Sequence, residues 1–341
     1  MSGGGTLPVE PLRSESRMKP LLSTLLMLFA VMPAVAGAQT SAAAWPTKPI
    51  TLIVDSAPGS SNDVFARTLA KHLQDAVGQS VVVDNKPSAG GIIANALVAN
   101  AAPDGTHLVL LSSTFTTVAA TRANLPYDPV KSFTPIARLA GGPMLVAVSA
   151  SSPYRTLDDL VDAARKEPGK LNYGTSGVGG INHLAAELIL TSAGVQMTQV
   201  PYKGISLAIT DLVGGQVQMI VASAASLLPH VNNGKVRALA VTTAEPSTVV
   251  PDLPPIGHSR YRNATSELWW GILAPAGMPP AIVGRLNAEI DRIIRSPDMK
   301  SFFLKAGAEP APLDADAFRA YIVAEIDRWK RVAASAGIQP Q

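Results

Sequence analysis

The chain has 341 residues, 28 Lys and Arg against 25 Asp and Glu, and 47% apolar residues, enough for a large core that favours two domains over one. The charge excess is too small and too dispersed for a nucleic-acid partner. The absence of cysteine excludes Cys-based zinc sites, redox pairs and thiol nucleophiles.

Residues 1–17 carry Gly, Ser and Pro without an apolar period. Met18-Lys19-Pro20 then supplies a basic start, residues 21–35 are an almost unbroken apolar run, and Ala36-Gly37-Ala38 closes it in A-x-A form. Basic, apolar and small-residue regions in that order predict a secretory signal peptide cleaved after Ala38, so an exported protein, with Met18 an alternative start. A membrane anchor is the competing reading. The run is shorter than the roughly 20 residues a span needs, and Pro33 interrupts it. Cleavage removes Arg13, Arg17 and Lys19 with Glu10 and Glu15, taking the net charge from +3 to +2. No later segment reaches spanning length free of Gly, Pro or charge, so the mature protein is expected to be soluble.

Residues 50–55 read as a buried strand and Ala57-Pro58-Gly59-Ser60-Ser61 as a turn. Asn62 or Asp63 then caps a helix whose Phe65, Leu69, Leu73 and Val77 fall at helical spacing and which Gly78 stops. A strand at 81–83, a helix from the Pro87-Ser88-Ala89-Gly90-Gly91 loop to Ala101 and a strand at 107–111 complete a βαβ succession, hence a mostly parallel sheet. A second block holds strands at 144–148, 171–173, 218–222 and 237–242 and a helix at 182–192, with Gly174-Thr175-Ser176-Gly177-Val178-Gly179-Gly180 as a glycine-rich turn. Residues 269–275 read as one more strand, followed by helices at 281–295 and 315–336. Breaks near 140–152 and 251–268 predict an α/β protein of two hinged lobes around a cleft. Residues 39–148 with 262–341 form a discontinuous first lobe, and 149–261 the second.

The loops at 57–63, 88–91 and 175–180 each follow a strand, open a helix, and combine Gly with Ser or Thr. Glycine admits a ligand close to the backbone, and a helix start carries free N–H groups and partial positive charge, so converging loops of this kind suit a carboxylate. Each alone is equally an ordinary βα turn. Enzyme signatures are weaker: Gly174-Thr175-Ser176-Gly177-Val178 approaches a G-x-S-x-G elbow but lacks its last glycine. The five histidines, His72, His107, His183, His230 and His258, have no metal-binding spacing. No metal and no cofactor are expected. Asp63 is either a favourable first-turn acid or a cleft residue, and His183 either caps its helix or touches ligand. Trp269 and Trp270 are expected to pack at the hinge.

Further residues carry a resemblance. Trp45-Pro46-Thr47-Lys48-Pro49-Ile50-Thr51-Leu52-Ile53-Val54, then Ala57-Pro58-Gly59, Asn85-Lys86-Pro87-Ser88-Ala89-Gly90-Gly91, Pro103-Asp104-Gly105, Leu125-Pro126-Tyr127-Asp128-Pro129, Tyr173-Gly174-Thr175-Ser176-Gly177, His183-Leu184-Ala185 and Val200-Pro201-Tyr202-Lys203-Gly204 occur in order. Together they resemble the substrate-binding proteins of tripartite tricarboxylate transporters, the Bug receptors, over almost the whole mature chain. The resemblance implies a type II periplasmic-binding-protein fold that closes on a small organic acid. It also implies a periplasmic, monomeric protein that delivers the acid to an integral membrane permease. First-lobe contacts carry over to Ser56, Ala57, Gly59, Ser60, Ser61 and Asp63, to Ala89, Gly90 and Gly91, and to Ser113 and Thr114. Second-lobe contacts carry over to Thr175, Ser176 and Gly177, with His183 and Tyr202. The family usually has Pro followed by Phe or Tyr where this chain has Asp55-Ser56, so Ser56 removes a wall and Asp55 adds an acid near the entrance. A roomier or more polar pocket is expected. The rival readings are a receptor reporting to a sensor kinase and a hydrolase using Ser176.

Overall fold

The computed structural model describes residues 45–340 except Lys203; the signal-peptide reading of residues 18–38 lies outside them. In chain order the first elements are β1 (Ile50–Val54), α1 (Ser61–Val77), β2 (Val81–Asn85), α2 (Ile92–Ala99), β3 (His107–Ser112), α3 (Thr114–Thr121) and β4 (Phe133–Ser149). There follow α4 (Leu157–Lys166), β5 (Asn172–Thr175), α5 (Ile181–Ala193), β6 (Thr198–Pro201), α6 (Ile205–Val213), β7 (Met219–Ser223), α7 (Ala224–Asn232) and β8 (Val236–Val241). The chain ends with β9 (Glu267–Pro275), α8 (Pro280–Ile294), α9 (Pro297–Lys305), β10 (Glu309–Leu313) and α10 (Ala315–Ser335).

Strand β1 pairs in parallel with β2 and β3, as the βαβ pattern requires. Ile50, Leu52 and Val54 join one apolar cluster and Ile53 the other, the two-residue alternation of a strand covered on both faces. Helix α1 starts one or two residues before the expected caps: the Ser60 hydroxyl accepts the Asp63 N–H, supplying the acceptor a first turn lacks. It ends at Gly78, whose φ of 73° is the left-handed conformation of a helix stop. Phe65, Leu69, Leu73 and Val77 are buried as their spacing predicts, and truncating Leu73 to Ala costs about 2–5 kcal/mol.

Helix α3 is absent from the sequence reading because its threonines hide any apolar period. The Thr116, Thr117 and Thr121 hydroxyls donate to the carbonyls of Ser113, Thr114 and Thr117, which satisfies them inside the fold. Most of the predicted break at 140–152 is not a loop but part of the 17-residue strand β4. Up to Pro143 this strand pairs antiparallel with β9 and β10; from Met144 it pairs with β7 and β8. One strand thus serves two sheets, passing between them at Gly141-Gly142-Pro143. A Cβ at Gly142 would stand 2.9 Å from the Trp270 ring, so the crossing depends on glycine. Beyond β4 the order continues through β7, β5 and β6, with β5 parallel to both neighbours. Helix α10 spans both halves. Phe318, Ile322 and Ile326 pack in the core beside β3 and β9, whereas Trp329, Val332 and Ala333 pack in the core around β5 and β7.

Candidate functional site

The strand ends of β1, β3 and β5 and the loops behind them place the site. After β1, Asp55 is buried, only 6% exposed. This corrects the expectation of an acid at the entrance. Its Oδ1 accepts from Asn62 Nδ2 at 2.7 Å, and Asn62 Oδ1 accepts from Trp270 Nε1 at 2.8 Å. An indole N–H only donates, so Asn62 must turn its oxygen to Trp270 and its amino group to Asp55. Burial pushes the Asp55 carboxyl up to about 6, against the opposing hydrogen bonds from Asn62 and its own backbone. Ser56 and Ser60 hydroxyls bond each other at 2.7 Å.

Asp63 accepts the Gly59 N–H on Oδ2 at 2.9 Å and pairs through Oδ1 with Arg67 at 2.9 Å. Burial raises its pKa, but Arg67, Gly59 N–H and Asn85 together outweigh burial and hold the carboxyl below its usual range. Both oxygens are committed, which is the structural role of the two considered. Gly90 and Gly91 both have positive φ, 69° and 72°. A Cβ at Gly91 would lie 2.8 Å from Asp55 Oδ2, and one at Gly90 would lie 2.6 Å from a Val118 methyl. Only glycine fits this double turn between β1 and α3. Ser113 precedes α3 fully buried, and its hydroxyl has no partner among the described residues.

The loop after β5 is held from behind. His183 Nδ1 accepts the Gly179 N–H at 3.1 Å, which puts the ring proton on Nε2, 3.9 Å from Glu187 Oε1. Burial lowers the imidazole to about 4, and its place in the first turn of α5 acts in the same direction. His183 therefore holds the loop as a neutral ring. Burial raises Glu187, opposed by the Tyr173 hydroxyl that donates to it. Thr175 Oγ1 accepts from Gln199 Nε2 at 2.8 Å, and Tyr202 donates its hydroxyl to Asp211 at 2.7 Å, so both lie behind the loop. Ser176 Oγ donates to Asn182 Oδ1 at 2.8 Å, while Asn182 Nδ2 donates to the Val221 carbonyl. The serine faces an amide instead of a base, which removes the basis of a nucleophilic role.

Between these loops lies a cavity of about 370 Å³, lined from one side by Gly90, Thr114, Val118, Thr121 and Arg122 and from the other by residues 176–182. It unites Gly90, Thr114, Ser176 and Gly177 of the anticipated residues. Ser56, Ala57, Gly59, Ser60, Ser61, Asp63, Gly91, Ser113, Thr175, His183 and Tyr202 lie outside its lining. The two walls nearly touch where a Cβ on Gly179 would stand 2.8 Å from Thr121 Oγ1. Sequence reasoning missed Arg122, the one charged side chain in the lining, together with Val118, Thr121 and Asn182. A single cation ending a Thr-rich run just after a strand was the available signal. Trp269 and Trp270 pack against Phe318 and Phe65, and the Trp270 ring also lies beside Gly142 at the crossing between the sheets. Among the described residues no cluster of three His, Asp or Glu side chains is placed to hold a metal.

The family described as "Tripartite tricarboxylate transporter family receptor" matches residues 65–338. A UPF0065 protein from the tcbD-tcbE intergenic region of Pseudomonas sp. (strain P51) is 38% identical over 296 residues, covering 85% of this chain and 86% of that one. Among solved structures, the R. palustris protein Rpa4515 with adipate is similar at TM-score 0.78 and 34% identity, over 87% of this chain and 100% of its own. The periplasmic binding protein BugD is similar at TM-score 0.75 and 30% identity, again over 87% of this chain and 100% of its own.

Proposed function

Because this chain belongs to the tripartite tricarboxylate transporter receptor family, whose members are periplasmic solute-binding proteins and not enzymes, we propose that it captures a small organic carboxylate in the Gly90–Arg122–Ser176 cavity and presents it to membrane permease subunits. The observation that carries the ligand class is the lining: one cation, Arg122, among hydroxyls and glycines, with no acid beside it. The first turns of α3 and α5 open onto the same space and add N–H donors that have no acceptor within the helix. The adipate held by Rpa4515 is a carboxylate of the size this space admits.

In this reading residues 39–148 with 262–341 and residues 149–261 act as two lobes. Strand β4 passes between them, helix α10 packs in the cores of both, and ligand contacts on both sides favour closure. Residues 18–38 direct export to the periplasm and are removed. The receptor works as a monomer, because the permease needs the closed face free. Thermal shift and calorimetry of the purified protein against mono-, di- and tricarboxylates test the proposal. At least one acid is expected to raise the unfolding temperature in a concentration-dependent way. Arg122→Gln is expected to weaken its binding by about tenfold to a hundredfold, the worth of a charge-assisted hydrogen bond. If no acid binds at millimolar concentration, the proposal fails.

A further inference from the structure

We propose that Val178 is a specificity-determining residue. It completes an apolar band across the middle of the cavity, so that the preferred ligand is a carboxylate with a plain hydrocarbon body, and acids hydroxylated along the chain are disfavoured. The inference rests on the carboxylate reading above and concerns which carboxylates the site prefers.

Three observations converge. First, the lining is less polar than its composition suggests, because its hydroxyl protons are largely committed. Thr121 donates to the Thr117 carbonyl at 2.8 Å and Ser176 to Asn182 Oδ1 at 2.8 Å, while Asn182 Nδ2 donates to the Val221 carbonyl at 2.7 Å. Arg122 and Thr114 are the donor-bearing side chains of the lining that donate to nothing among the described residues. Second, those two stand at opposite ends of one helix face. Thr114, Val118 and Arg122 follow at four-residue spacing, so Val118 lies about 6 Å of rise from each along α3. A Val118 methyl fills the space a Cβ on Gly90 would take, so this stretch of wall is hydrocarbon. Third, the facing wall carries Val178 and Ile181. Ile181 is buried, whereas Val178 is 48% exposed, the one exposed large hydrophobic in the lining among the described residues. Its neighbour Gly179 meets Thr121, three residues from Val118, which brings Val178 to the same stretch of α3. A ligand with its carboxylate at Arg122 therefore runs its body between the two valines. Hydrocarbon there covers the open surface of Val178 and gains by leaving water. A hydroxyl at that level gives up its water and meets methyl groups.

The test is calorimetry at pH 7.5 with acids paired by a single mid-chain hydroxyl: butyrate with 3-hydroxybutyrate, succinate with malate, and glutarate with 3-hydroxyglutarate. Unbranched mono- and diacids of four to eight carbons complete the series. The parent protein and Val178→Thr are compared. The substitution exchanges a methyl for a hydroxyl in nearly the same shape at an exposed position, and unfolding temperature reports its integrity. The parent is expected to bind the plain member of its best pair at least about tenfold more tightly than the hydroxylated one. Its affinity should rise roughly fourfold per added methylene until the cavity is full. Val178→Thr is expected to shrink the ratio within each pair at least about threefold. Equal binding within pairs, preference for the hydroxylated acid, no gain with chain length, or a ratio that Val178→Thr leaves unchanged overturns the inference while the carboxylate reading stands. Binding of no carboxylate in the series removes both.

Discussion

His183 gives the sharpest quantitative test of how the second loop is held. Its ring is buried, accepts the Gly179 N–H through Nδ1, and is lowered by burial to about 4. An unfolded histidine takes its proton as pH falls through about 6.5, whereas the folded one resists until about 4. Between those values the unfolded chain binds more protons, so acid favours unfolding. Integrating the difference, this group removes about 2 kcal/mol of stability by pH 5 and about 3 kcal/mol by pH 4. His183→Asn is the informative variant, because its Oδ1 replaces Nδ1 as acceptor for Gly179 and does not titrate. At pH 7 it is expected to be less stable than the parent by about 1–3 kcal/mol, through lost packing beside the Tyr173 ring. As pH falls the two stabilities should converge, and near pH 4 the order should level or invert. Glu187 and Tyr173 remain in both proteins, so their titrations largely cancel in the difference. Urea unfolding at pH 7, 6, 5 and 4.5 measures it. A parent-minus-variant difference that stays constant over that range would refute the neutral, loop-holding assignment.

Gly179→Ala meets both a φ of 76° and Thr121 at 2.8 Å, so it should destabilise by about 2–4 kcal/mol. Adding Thr121→Ala should recover about 1 kcal/mol of that in a double-mutant cycle, and strict additivity would deny that the two walls touch. Asn62→Leu strands Asp55 Oδ1 and the Trp270 N–H at once; a loss of about 2–5 kcal/mol in denaturant unfolding is expected, and a loss below about 1 kcal/mol would show the relay is dispensable. A fluorophosphonate should leave the intact mass of the protein unchanged, since Ser176 donates to Asn182 and faces no base; covalent labelling lost in Ser176→Ala would reinstate the hydrolase reading.

Much of the fold was legible because its signals are local. The spacing of Phe65, Leu69, Leu73 and Val77 and the stop at Gly78 define α1 whatever lies around it. The β-branched run at 50–54 can only be a strand covered on both faces. What stayed hidden depends on partners distant in sequence. Gly141-Gly142-Pro143 reads as a linker until Trp270 fills the space beside Gly142. The threonines of α3 look like loop until the helix geometry returns their hydroxyls to the backbone. The same logic divides the site residues. Gly90, Ser176 and Gly177 are visible because a glycine loop before a helix announces itself, whereas Thr114 came only with the family resemblance. Asp63 and His183 sit in such loops yet turn inward, a choice that composition leaves open.

The separation of Asp55 from Arg122 follows from that distinction between loop grammar and loop content. The positions of the turns come from the βα units, so related receptors can share them while differing in what stands behind the glycines. An acid just after β1 is tolerable here because Asn62 occupies the α1 position that can reach it, and because Trp270 leaves Asn62 no other orientation. Asp55, Asn62 and Trp270 therefore form a unit whose members make sense together, and changing one alone leaves a buried polar atom unpaired. Arg122 carries no such constraint: it is exposed at the end of α3 and in no ion pair among the described residues. Substituting Arg122 should therefore change carboxylate affinity without disturbing the Asp55–Asn62–Trp270 unit.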